Sequence, residues 1–129
     1  MKKEILPTKK APAPLGPYSN VVKYGNMLFI SGMASENAET GEILHGSVSY
    51  QTENVMKNIK AILEDVGSGM DMVLKCSIHM TKPEYFAEMN AVSAKYFKEE
   101  DGYPARVTTF GSEIYDGLDL EIDVIAGIE

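Results

Sequence analysis

Residues 118–127 read Leu-Asp-Leu-Glu-Ile-Asp-Val-Ile-Ala-Gly, an alternation that suits a half-buried β-strand and little else. Wound as a helix, the three carboxylates would scatter among aliphatic side chains. Extended, the segment places Leu120, Ile122, Val124 and Ala126 on one face and Glu121, Asp123 and Ile125 on the other. Asp and Glu are poor strand formers, so these carboxylates are either solvated or ion-paired structural groups, or groups placed for chemistry.

A strand with one apolar face needs a layer to cover it, and the rest of the chain supplies that layer. Two β-prone segments, Val21–Tyr24 and Met27–Gly32, flank Gly25-Asn26, a two-residue hairpin signal. Residues 34–46 read as an exposed loop. From Ser47 the period becomes helical, with Val55, Ile59, Ile62, Leu63 and Val66 on one stripe, and Gly67-Ser68-Gly69 closes the helix. Alternation returns over Met72–Met80, predicting Leu74, Cys76, Ile78 and Met80 inside. A second helix is expected from Pro83 through Phe97, on the spacing of Tyr85, Phe86, Met89, Val92, Tyr96 and Phe97. Strands over Arg106–Gly111 and Leu118–Gly127 complete the order β-β-β-α-β-α-β-β, with a short strand at Lys3–Leu6. This order predicts an α+β domain spanning 1–129, with one mixed sheet and both helices packed on one face. The other face is left uncovered, and a second subunit is the expected cover.

Composition narrows the partners. The net charge of −7 repels phosphate and forfeits the counterion release that drives nucleic-acid binding. A small anionic substrate would therefore depend on a local cation. One cysteine, Cys76, excludes an internal disulfide and a cysteine-based metal site, and its alternation with Ile78 reads as a small buried hydrophobe. The N-terminus lacks an apolar core of signal-peptide length, and no apolar run approaches the ~18 residues that span a bilayer. A cytoplasmic protein that binds neither membrane nor nucleic acid is the expectation.

Three prolines, Pro12, Pro14 and Pro17, make residues 11–17 a stiff extended loop ending at Tyr18-Ser19. Arg106, Thr108 and Phe110 share a face of their strand. An arginine fork grips a carboxylate through two parallel hydrogen bonds. Two readings of Arg106 stand: it binds an anionic ligand, or it pairs across strands with Glu121 or Asp123. His45 and His79 have no neighbour in sequence that suggests a triad or metal cage, and both read as ordinary polar residues.

The segments Lys10–Ser19, Gly25–Gly32, Pro104-Ala105-Arg106 and Leu120–Ala126 together resemble the RidA (YjgF) family. Thr40-Gly41-Glu42-Ile43, Gln51-Thr52, Asn58-Ile59, Val73-Leu74-Lys75 and Asn90 fall in matching places, so the resemblance covers essentially the whole chain. It implies a chorismate mutase-like fold assembled as a homotrimer with clefts between subunits. It also implies hydrolytic deamination, without metal or organic cofactor, of 2-enamine and 2-imino acids such as 2-aminoacrylate and 2-aminocrotonate, giving 2-keto acids and ammonia. Arg106 would hold the substrate carboxylate and Glu121 would activate water. Tyr18, Ser31, Gly32, Asn90 and Thr108 would line or support the pocket. With no substrate bound, Arg106 and a cross-strand carboxylate would rest on each other. Met33-Ala34-Ser35, Val107-Thr108 and residues 113–117 depart from the family pattern, which implies an altered pocket wall and substrate preference. Two other functions remain in view: a regulatory trimer that binds a small carboxylate or a protein without catalysis, and a ribonuclease of the kind long associated with such proteins.

Overall fold

A computed structural model describes residues 2–129. The strands are β1 (Lys3–Ile5), β2 (Val21–Tyr24), β3 (Met27–Met33), β4 (Val73–Met80), β5 (Ala105–Thr109) and β6 (Leu120–Gly127). Two helices, α1 (Val48–Asp65) and α2 (Phe86–Ser93), complete the order read from the sequence. The sheet runs β1-β2-β3-β6-β4-β5, so the last strand lies in its interior. Only β4 and β5 pair in parallel; every other neighbour is antiparallel.

Local chemistry explains these elements. Gly25, with φ at 61°, takes the left-handed conformation at the first position of the β2–β3 turn, where few other residues fit. Ser47 caps α1 by accepting a hydrogen bond from the Tyr50 amide at 3.1 Å, satisfying one of the orphan donors of the first turn. Gly67 ends the same helix at φ 94°, and the Ser68 amide donates back to Leu63. Val55, Ile59, Ile62 and Leu63 from α1 meet Leu28, Ile30, Cys76, Ile78, Ile122 and Val124 from the sheet in one core. The face away from the helices stays open: Phe29 is 41% exposed and Val107 43%.

Three expectations are corrected. Leu74 does not share a face with Cys76; it is 49% exposed, because the β4–β6 register shifts between Val73 and Lys75 and the extra residue turns the alternation over. The helix expected over 83–97 is three pieces: a 3-10 turn at Pro83–Tyr85, the α-helical Phe86–Ser93, and a second 3-10 turn at Ala94–Tyr96. Phe97 then adopts an extended backbone that starts the run toward β5. The last two strands are also each shorter than expected, since β5 stops at Thr109 and β6 begins at Leu120.

Gln51 couples α1 to the start of β6. It is 2% exposed; its Nε2 donates to the Gly46 carbonyl and to Asp119 Oδ2, while its Oε1 accepts from the Asp119 amide at 2.8 Å. Replacing it by Met keeps the volume but removes three partly buried hydrogen bonds, each with a net worth of about 0.5–1.5 kcal/mol. Gln51→Met should lower the urea midpoint with the slope unchanged, whereas a midpoint equal to wild type would show that the link carries no stability.

Candidate functional site

Arg106 projects from β5, the edge strand, on the face shared with Cys76, its register partner on β4. One guanidinium nitrogen, Nη1, donates to Asn90 Oδ1 at 2.6 Å, and the group lies 5.4 Å from the centroid of the Phe86 ring. Both contacts come from α2, so Arg106 is oriented by the helical layer and keeps donors for a ligand. Beside it opens a cavity of about 490 Å³ whose wall includes Asn90, Tyr103, Cys76 and Ile122. Burial pushes the Cys76 thiol up to about 11, although the Arg106 charge works in the opposite direction. The thiol is therefore not an activated nucleophile. Thr108 stands two residues beyond Arg106, in register with Ile78.

Glu121 belongs to a different cavity. It rises from the open face of β6 and leans over β3, where Gly32 leaves room for it. A Cβ on Gly32 would meet the Glu121 carboxyl carbon at 2.7 Å, so the close approach of β3 backbone and carboxylate requires glycine at this position. Tyr18, Ser31, Gly32 and Glu121 all line this cavity of about 840 Å³. The proline loop is stitched to β3 to form its wall: Ser31 Oγ donates to the Ser19 carbonyl at 2.6 Å, the Ser31 amide to the Asn20 carbonyl, and Asn20 Nδ2 to the Pro12 carbonyl at 2.8 Å. Tyr18 is exposed at the rim.

The cross-strand pairing of Arg106 with Glu121 or Asp123 does not occur. Strand β4 lies between β5 and β6, and Arg106 points to the helical face while both carboxylates point away from it. Asp123 is instead 3.3 Å from His79 Nε2, whose Nδ1 is 3.0 Å from Thr109 Oγ1. His79 thus has an acidic partner that its own strand does not reveal, because the pairing depends on strand order. His45 likewise sits 3.2 Å from Asp116. Six of the expected site residues therefore fall into two groups, Tyr18, Ser31, Gly32 and Glu121 in one cavity and Asn90 and Arg106 in the other, while Thr108 lines neither, and neither cavity holds both Arg106 and Glu121.

Sequence reading missed Glu36. It shares the Glu121 cavity, and desolvation, followed by the charge of Glu121, raises its carboxyl above the ordinary range. Nothing local marks it, since it lies in a segment whose composition reads as exposed loop. No group of three or more His, Cys, Asp and Glu side chains is arranged to hold a metal among the described residues.

This architecture has close counterparts. A family profile described as Endoribonuclease L-PSP matches residues 8–128. A RutC family protein of Pyrococcus abyssi is 41% identical over 126 residues, covering 98% of each chain. Reactive Intermediate Deaminase A, chloroplastic, of Arabidopsis thaliana is 39% identical, over 98% of this chain and 66% of its own. The crystal structure of RidA from an Antarctic Psychrobacter superposes with a TM-score of 0.89 at 37% identity, covering 97% of this chain and 99% of that one. With a profile running nearly end to end and relatives about 40% identical over almost the whole chain, the chain belongs to the RidA (YjgF, RutC) family.

Proposed function

We propose that the protein is a 2-iminobutanoate/2-iminopropanoate deaminase-type hydrolase that converts 2-enamine and 2-imino acids to 2-keto acids and ammonia in the cytoplasm. The observation that carries this reading is the separation of Arg106 from Glu121. A carboxylate grip and a water-activating carboxylate, both expected in one site, lie in two cavities on opposite faces of the sheet. Two copies of the chain, the Arg106 rim of one against the Glu121 cavity of the next, complete the cleft. A homotrimer with three such clefts closes the arrangement and covers the open sheet face around Phe29 and Val107. The name of the Arabidopsis relative supports the same chemistry.

The reaction needs positioning more than a strong nucleophile. An iminium carbon is already electrophilic, so the task is to hold the substrate and deliver water. Arg106, steadied by Asn90, binds the carboxylate and supplies the local cation that a −7 chain otherwise lacks. Glu121 accepts a proton from the attacking water. Ser31, Gly32 and Tyr18 shape the wall on the Glu121 side, and backbone at Thr108 and Gly32 meets the substrate. The reaction consumes only water and calls for no cofactor.

Cleavage of RNA fits the geometry less well. The Glu121 cavity is lined by Glu36, Glu39 and Glu121 and by no Lys or Arg, so a phosphodiester would enter a field of like charge.

Ammonia release from 2-aminocrotonate generated in solution should be accelerated by the wild type. Arg106→Ala should lower kcat/KM about 100-fold or more, in line with loss of a charged, oriented contact. Wild type at the buffer rate, with 2-ketobutyrate binding that depends on Arg106, would instead establish a carboxylate-binding protein. Gly32→Ala should leave thermal stability within about 1 kcal/mol, because the Glu121 side chain can swing away, yet reduce kcat at least about 10-fold; unchanged kcat would remove Glu121 from the mechanism. Sedimentation should give about three times the 14.2 kDa chain mass, and a monomer would contradict the shared cleft.

A further inference from the structure

The Glu121 cavity contains a second carboxyl group that the mechanism so far leaves unused. Glu36 follows buried Ser35, whose Oγ donates to the Leu44 carbonyl at 2.7 Å and accepts from Asn54 Nδ2 of α1 at 3.0 Å. The Glu36 carbonyl itself accepts from Asn58 Nδ2 at 2.8 Å, and an antiparallel bridge joins Glu36 to Ile43. Its backbone is therefore fixed to α1 and to the loop, and the residue is not a loose surface acid. Among the described residues its carboxyl makes no hydrogen bond or ion pair, and it lines the same cavity as Glu121.

Resting on the deaminase reading of this cleft, we propose that Glu36 is the general acid of the site, giving the proton that turns a 2-enamine acid into its iminium while Glu121 serves the water. The protons balance. The Glu36 carboxylic acid gives H⁺ to C3 of the enamine, whose C2=C3 electron pair forms the new C3–H bond as C2=N⁺ forms. Water adds to C2 and gives a proton to the Glu121 carboxylate. Glu121 returns that proton to the amine nitrogen, the C2–N bond breaks with its electron pair leaving on ammonia, the hydroxyl proton is lost to solvent as the C=O forms, and Glu36 takes a proton from solvent. Both side chains end as they began, and the net change is enamine plus water to keto acid plus ammonia.

The surroundings suit such a division. Burial, and after it the charge of Glu121, both favour the protonated form of Glu36, which suits a proton donor lining the same cavity as Glu121. The titratable groups facing them are Glu39 from the same loop, Tyr18 from the proline loop and Tyr115 from the connection before β6. His79, bonded to Asp123, stands opposite Glu121 in the sheet. Arg106 of a neighbouring copy would be the one cation brought to the cleft. An imine made by amine oxidation needs no carbon protonation, so this role of Glu36 bears on enamine acids alone.

Glu36→Gln keeps the shape and removes the acid. Its kcat/KM for 2-aminocrotonate should fall about 100-fold, the usual scale of general acid catalysis, and remain within about 2-fold of wild type on an imino acid generated by an amino-acid oxidase. The wild-type rate should fall on the alkaline side as Glu36 loses its proton, and this limb should vanish in Glu36→Gln. In D₂O, 2-ketobutyrate trapped at once by reduction should carry deuterium in one configuration at C3 with wild type and in both with Glu36→Gln. Glu36→Asp, which keeps an acid, should recover part of the rate and the stereochemistry. A Glu36→Gln enzyme that equals an active wild type on the enamine, or that loses both substrates equally, overturns the role of Glu36 alone; wild type at the buffer rate on both substrates overturns the deaminase reading as well.

Discussion

The structure depends on the placement of β6 inside the sheet. Entering between β3 and β4, this strand has both backbone edges paired, and its inner residues Leu120, Ile122, Val124 and Ala126 are buried under α1 and α2. A strand so held has one register only, since a slip of one residue would drive Glu121 and Asp123 into the apolar core. The burial that stabilises the fold therefore also fixes the position of Glu121. Gln51, bonded to Asp119 two residues before it, anchors the entry of the strand.

The site follows from the same constraint. Because β4 lies between β5 and β6, and Arg106 faces the helices while Glu121 faces away from them, the guanidinium and the carboxylate do not meet within one chain. Arg106 is turned toward the helices and steadied by Asn90 and Phe86; Glu121 is turned to the open face and held against the glycine of β3. Together these two placements set the geometry that, under the proposed function, assembly with a second copy would complete.

The alternation of 118–127 and the helical stripe of α1 were legible because each is a local pattern matched by a large burial: Ile59, Ile62 and Leu63 lie inside as the spacing requires. Leu74 was misread because a bulge depends on the partner strand. The second helix was overextended because aromatic residues at helical spacing also fit short 3-10 turns. The identities of Arg106 and Glu121 could be read from their segments, but their mutual placement could not. Strand order decides it, and no residue in 106–121 encodes that β4 lies between them. Glu36 shows the same limit, since its neighbour is 85 positions away in a chain of 129.

The central claim is that each functional cleft is built from two chains, and subunit complementation tests it most directly. Arg106→Ala and Glu121→Gln chains, each inactive alone, are unfolded, mixed in equal amounts and refolded together. If one chain supplies Arg106 and its neighbour Glu121, random assembly restores about a quarter of the clefts and a matching share of wild-type ammonia release. A mixture that forms mixed oligomers and stays as inactive as its parents would contradict the account.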